Sequence, residues 1–235
     1  MKVNHLYIQI GGSSSAKTTI EDEAIIRCPL RRYVTDTTRD IREGEQEGID
    51  YNFVTLEKFK SRVYANVITI TDDWLYGAPV QALLDLVASE ESSIYSVINI
   101  EPALKIKKYV EDNDIPLNVH ILYYDIDYDL RMELLLARGD SEESIKIRLA
   151  REDKLEDFES MAIENGFSGE DLTPDIVLTD FYKNKDIVLK YIYDSWLEGV
   201  EKGMDLVENH SFDYKSPGLE VDEIIEKLEK EKSWK

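Results

Sequence analysis

The chain carries Val3-Asn4-His5-Leu6-Tyr7-Ile8-Gln9-Ile10 immediately before Gly11-Gly12-Ser13-Ser14-Ser15-Ala16-Lys17-Thr18. The first eight residues are short, rich in β-formers and bounded by glycines, as a buried strand is. The next eight are small and polar. A helix is expected from Thr18, limited by Pro29. A strand, a small-residue loop and a helix in that order let consecutive backbone N–H groups converge on phosphate oxygens at a positive helix end. Gly12, Ser13, Ser14, Ser15, Ala16, Lys17, Thr18 and Thr19 are therefore the expected ATP-binding segment. Lys17 is expected to act catalytically on the β/γ-phosphates, with the Thr18 hydroxyl facing Mg²⁺. Ala16 stands where the pattern GxxxxGK[ST] has its second glycine, and it preserves the loop provided its φ is negative. The plain alternative is a Ser/Gly turn that happens to precede a Lys-Thr pair.

Outward from this loop, apolar runs alternate with helical patterns. YNFVTL (51–56), NVITIT (66–71), SIYSVINI (93–100), LNVHILYY (117–124) and DIVLT (175–179) read as strands. Helices are expected over 57–65, 79–90, 102–112 and 184–207, and over 127–165 with RGDSEES interrupting. Strands alternating with helices predict an α/β domain with a parallel sheet covered on both faces. NHSFDYKSPG (209–218) reads as a linker. The terminal helix after it aligns Val221, Ile224, Ile225 and Leu228, and is expected to dock or to join two copies as a homodimer.

The 235 residues include 49 acidic and 28 basic ones, for a formal charge of −21. That field opposes binding of nucleic acid through phosphate neutralisation, yet a local basic pocket can still hold a small phosphorylated substrate. Cys28 is the single cysteine, so neither a disulfide framework nor a CxxC metal site is expected. No apolar run reaches membrane-spanning length, and the expectation is a cytoplasmic protein without a membrane partner. His5, His120 and His210 lack evident partners in the sequence and are read as structural.

Two arginines, Arg39 and Arg42, sit three apart in a turn-rich segment, followed by Tyr51. Guanidinium forks and a phenol suit phosphate oxygens. The whole stretch, Thr37-Thr38-Arg39-Asp40-Ile41-Arg42-Glu43-Gly44-Glu45-Gln46-Glu47-Gly48-Ile49-Asp50-Tyr51-Asn52-Phe53, closely resembles the nucleotide-binding segment of guanylate kinases. Tyr76-Gly77 is similar to the tyrosine-glycine of that family, and Arg138 to Leu149 to its lid. The resemblance covers about residues 4–195. It implies a P-loop nucleoside monophosphate (NMP) kinase fold, with a core of 1–32 and 79–205, an NMP-binding subdomain of 33–78, a lid of 138–155 and an acidic tail helix of 206–235. It also implies ATP and Mg²⁺ as cofactors, with a ribo- or deoxyribonucleoside monophosphate as acceptor. Arg39, Arg42, Tyr51 and Tyr76 would hold the acceptor phosphate, while Arg138 and Arg148 would neutralise the transferring group.

The base-reading positions depart from the family. Thr35 replaces a serine, Ala78 replaces a second serine, and Thr69 is the best match to a glutamate that pairs with guanine. Asn99-Ile100-Glu101 stands at the family's Asp-x-Asp, which leaves Asn99 near the metal and Glu101 at the base. One slipped residue would put Asp72 or Asp73 in the glutamate's role. Two readings stay open: a kinase whose specificity has moved from GMP toward a pyrimidine or modified nucleotide, and an inactive guanylate-kinase-like protein-interaction module.

Overall fold

The computed structural model describes residues 4–28, 30–71, 74–89, 91–97, 99–152 and 158–203. The expected tail helix, His210, Asp72, Asp73 and the end of the expected lid lie outside them. Five parallel strands form the main sheet in the order β2-β7-β1-β8-β9: β2 Leu30–Arg32, β7 Ser92–Val97, β1 Asn4–Gly11, β8 Leu117–Tyr124 and β9 Ile176–Leu178. All eight residues of β1 are buried, as a central strand covered on both faces requires.

Alternation along β1 divides the core. Leu6, Ile8 and Ile10 pack under α3 (Val80–Val87), α4 (Ile100–Asp112) and α7 (Phe158–Glu164). Tyr7 packs on the opposite face with Ile20 and Ala24 of α1 (Lys17–Arg27) and with Val188 and Ile192 of α8 (Asn184–Gly203). Expected strand 93–100 stops at Val97, because α4 already begins at Ile100. Pro102 sits in its first turn, where a missing N–H costs little.

A second sheet, β4-β3-β6-β5, rises beside the first: β3 Asp36–Thr37, β4 Asn52–Phe53, β5 Tyr64–Thr71 and β6 Trp74–Pro79. The helix expected over 57–65 is α2, Leu56–Lys60, capped by the Thr55 hydroxyl accepting from Lys58 N at 3.1 Å. Tyr64 and Ala65 belong to β5 instead. Antiparallel pairing sets Thr69 opposite Tyr76 and Ile68 opposite Gly77. A Cβ on Gly77 would lie 2.6 Å from the Tyr64 ring and 3.0 Å from Phe59, so only glycine lets β6 cross these aromatics. The long helical region is interrupted as expected. It contains α5 (Tyr128–Ala137) and α6 (Glu142–Glu152), joined through Gly139 at φ +92° and sharing a cluster of Leu135, Ile145 and Leu149.

His5 and His120 do have partners. His5 Nδ1 and His120 Nε2 are 2.8 Å apart, and His120 Nδ1 lies 2.9 Å from the Tyr191 hydroxyl. Burial, aided by nearby Lys107, pushes the His120 pKa down to about 4. The unfolded chain therefore takes up this proton first, and the stability present above pH 6.5 is lost between 6.5 and about 4. Urea unfolding at pH 7 and pH 4.5 is expected to show a loss of about 2–3 kcal/mol in the native chain beyond that in His120→Gln. Equal losses would contradict the assignment.

Candidate active site

β1 ends at Gly11 because the chain cannot carry a side chain there. A Cβ would lie 2.7 Å from Tyr124 Cβ and 2.9 Å from its carbonyl oxygen. The loop from Gly12 to Ala16 then turns into α1. Lys17 folds back over it, its ammonium donating to the carbonyls of Gly11 (2.5 Å) and Gly12 (2.8 Å) and contacting Ser15 Oγ at 3.1 Å. Ser15 Oγ in turn donates to Gly12 O at 2.8 Å. The carbonyls are thereby held inward by a cation. Ala16 does not meet the condition of a negative φ. Its φ is +69°, the left-handed region, and Ile20 N donates to its carbonyl to start α1. The turn from loop to helix within one residue demands that conformation, at a cost of about 1–2 kcal/mol for a residue with a Cβ.

Across the cleft, Arg39 is buried and its fork engages both oxygens of Glu45, at 2.7 and 2.5 Å. Its guanidinium lies over the rings of Tyr51 (5.1 Å) and Phe53 (5.3 Å). Glu45 also accepts from Arg42 N at 2.9 Å, so one carboxylate closes the turn that carries both arginines. The Arg39 bond holds the Glu45 carboxyl below the usual range, and the same bond pushes Arg39 up. Arg39 Nε is buried without a hydrogen-bond partner among the described residues, an unmet donor that suits an added oxygen. The Arg42 side chain is exposed.

Between these two walls lies a cleft of about 820 Å³. It brings together Ser13 to Thr19 with Thr35, Tyr51, Thr69, Tyr76, Ala78, Asn99 and Arg138. Arg138 caps the end of α5, and its Nε donates to Asp140 at 2.9 Å. Gly12, Arg39 and Arg42, expected at the site, are not among the lining residues. Glu101, expected at the base, does not line the cleft: it lies in the first turn of α4 and pairs with Lys105 at 2.5 Å, because helical spacing brings i and i+4 together. Pro102 lines the cleft in its place. Arg148 falls on α6, and its side chain lies outside the described residues. Among the described residues no aspartate or glutamate lines the cleft.

A guanylate kinase family model matches residues 3–151. The chain belongs to the guanylate kinase family. It is 28% identical over 203 residues to the guanylate kinase of Malacoplasma penetrans, covering 84% of this chain and 96% of that one. With the guanylate kinase of Chlorobium luteolum it shares 27% over 154 residues, 64% of this chain and 76% of the relative. The crystal structure of guanylate kinase from Anaplasma phagocytophilum superposes with a TM-score of 0.54 at 17% identity, covering 88% of this chain and 98% of that one, and shares its fold. The chain is thus a P-loop nucleoside monophosphate kinase, an enzyme of ATP-dependent phosphoryl transfer. Among the described residues no helix is long and apolar enough to cross a membrane.

Among the lining residues that escaped the sequence reading are Tyr95, Ser96 and Phe181. Burial pushes the Tyr95 phenol far above the usual range, so it meets a ligand as a neutral hydroxyl. Ser96 donates to Glu21 at 2.7 Å and accepts from Gln9 at 2.9 Å. Both sit in an apolar strand whose period hides which side chain emerges into a cleft. The residues expected to hold Mg²⁺, Thr18 and Asn99, both line the cleft and would offer a sparse donor set of one hydroxyl and one amide oxygen. Among the described residues there is no cluster of three or more His, Cys, Asp or Glu suited to a metal. Such a set fits a hard cation held largely by substrate phosphates. Since Ala16 sits at positive φ, Ala16→Gly should raise unfolding free energy by about 1 kcal/mol. Unchanged or lower stability in urea titration would contradict the geometry.

Proposed function

We propose that this kinase transfers the γ-phosphoryl group of ATP to a nucleoside monophosphate without strong preference for guanine. The reading is carried by one observation: a single cleft is walled by the lysine-clasped loop at one end and by neutral side chains at the base end. ATP phosphates lie on Gly12 to Thr19. Arg39, Arg42, Tyr51 and Tyr76 hold the acceptor phosphate, with residues 33–78 acting as the acceptor subdomain. An oxygen of that phosphate attacks the γ-phosphorus as the bond to the β–γ bridging oxygen breaks, and ADP leaves. Thr18 and Asn99 would hold Mg²⁺, which would supply charge neutralisation on the donor phosphates when bound. Lys17, Arg138 and Arg148 offset charge on the transferring group, so alignment and electrostatics do the chemistry without a protein nucleophile. The helical hairpin of α5 and α6 has its own small cluster and serves as the lid, covering the phosphates on closure.

Guanine presents N1–H and N2–H donors that need an acceptor pair. A buried donor left unpaired costs about 1–3 kcal/mol. Thr35, Thr69 and Tyr95 offer hydroxyls that both donate and accept, and Ala78 offers nothing polar. A pyrimidine with O2, N3–H and O4 is served at least as well. The phosphate clamp is built from other residues and carries no base information.

Two measurements test this. kcat/KM for GMP, dGMP, dTMP, dUMP and dCMP should show no guanine preference above roughly a hundredfold, about 2.7 kcal/mol. A larger preference for GMP or dGMP overturns the specificity reading. Arg39→Ala should raise KM by a similar factor for every accepted monophosphate, and Lys17→Ala should lower kcat about a hundredfold or more. Near-native transfer by Lys17→Ala would contradict the placement of the donor phosphates, whereas absence of transfer to every monophosphate by the native chain would favour the interaction-module reading.

A further inference from the structure

A second cavity, of about 510 Å³, opens at the free edge of β2. It shares no lining residue with the catalytic cleft. Ile25, Leu30 and Ala82 form apolar walls from the core, and Ile49 closes it from the small-sheet side. Arg31 and Arg32 line it as well. Its size falls within the range that takes a small organic molecule.

Arg31 is the anomaly. Every other buried or half-buried arginine among the described residues has a partner for its guanidinium. Arg32 pairs with Glu21 at 3.0 Å and with Asp22; Arg39 is forked to Glu45; Arg62 pairs with Asp36 at 2.5 Å. Arg131 donates to Ile126 O at 3.2 Å and lies over the Tyr128 ring. Arg31 is half-buried, and its guanidinium has no ion pair, side-chain hydrogen bond or ring contact among the described residues. Asp85, on the α3 side of the same cavity, accepts from Gln81 at 2.8 Å and makes no ion pair with Arg31. In a chain with 49 acidic residues, an unpaired, half-buried guanidinium facing a cavity is not explained by a shortage of carboxylates. A guanidinium offers five donors in a fixed fork that matches carboxylate or phosphate oxygens.

We propose that this cavity is a binding site for a small organic anion, distinct from the catalytic cleft. Arg31 takes the carboxylate or phosphate head, and the Ile25, Leu30 and Ile49 walls take an apolar body. The site stands whether or not the reading of the base pocket holds.

Methyl NMR of the full chain resolves the two sites. Phenyl phosphate, benzoate and inorganic phosphate are titrated while the Ile25 and Ile49 methyls report the cavity and the Val67 and Val97 methyls report the cleft. Ile25 and Ile49 should shift saturably with at least one of the two organic anions, at lower concentration than with inorganic phosphate. Comparing phenyl phosphate with benzoate tells a phosphate head from a carboxylate head. Arg31→Gln should weaken that response about tenfold, the cost of one charged hydrogen-bonding partner, with kinase activity unchanged. Arg31→Lys keeps the charge without the fork and should fall between the two. Silence of Ile25 and Ile49 while Val67 and Val97 respond, or equal affinities across the three proteins, overturns the proposal.

Discussion

The close approach of Gly11 to Tyr124 is the constraint on which the rest depends. With no room for a Cβ, β1 runs against β8 to its last residue and releases the chain at one point above the sheet. The loop that follows must turn within a few residues into α1. Lys17 stabilises that turn by binding the carbonyls of Gly11 and Gly12, and the strain falls on Ala16. A polar layer supports the loop from below. Gln9 donates to Lys17 O at 3.3 Å and to Ser96, accepts from Tyr124, and through Ser96 meets the buried Glu21. Burial raises the Glu21 carboxyl, and Arg32 partly offsets that cost. Below the loop, Gln9, Lys17, Ser96 and Glu21 are thus each committed to a partner within the protein.

The acceptor end is organised differently. Glu45 fixes Arg39 and the Arg42 backbone, and aromatic rings wall the guanidinium. The positions proposed to face the base come from separate strands: Thr35 before β3, Thr69 on β5, Ala78 on β6 and Tyr95 on β7. This separation would let the proposed phosphate clamp persist while base discrimination moves.

Much of this was legible in the sequence where one physical signal dominates. The apolar run 117–124 matches β8 to the residue, and the phosphate loop follows its strand as expected. β2 and β3 were not legible. They have three and two residues, are charged or polar, and owe their strand geometry to pairing partners distant in the chain. The sign of φ at Ala16 was not legible, because composition says nothing about the turn a loop must make. Glu101 was set at the base by alignment, but its place one residue inside α4 turns it toward Lys105. Tyr95 and Ser96 were invisible because facing a cleft leaves no mark on a buried strand.

The central claim is that base discrimination resides at Thr69, held opposite Tyr76 by the β5–β6 register, apart from the phosphate clamp. Thr69→Glu tests it most directly, because it adds one carboxylate to a cleft whose described lining has none. The ratio of kcat/KM for dGMP to that for dTMP should rise at least about tenfold, equivalent to about 1.4 kcal/mol. An unchanged ratio, or one that moves toward dTMP, would contradict the account.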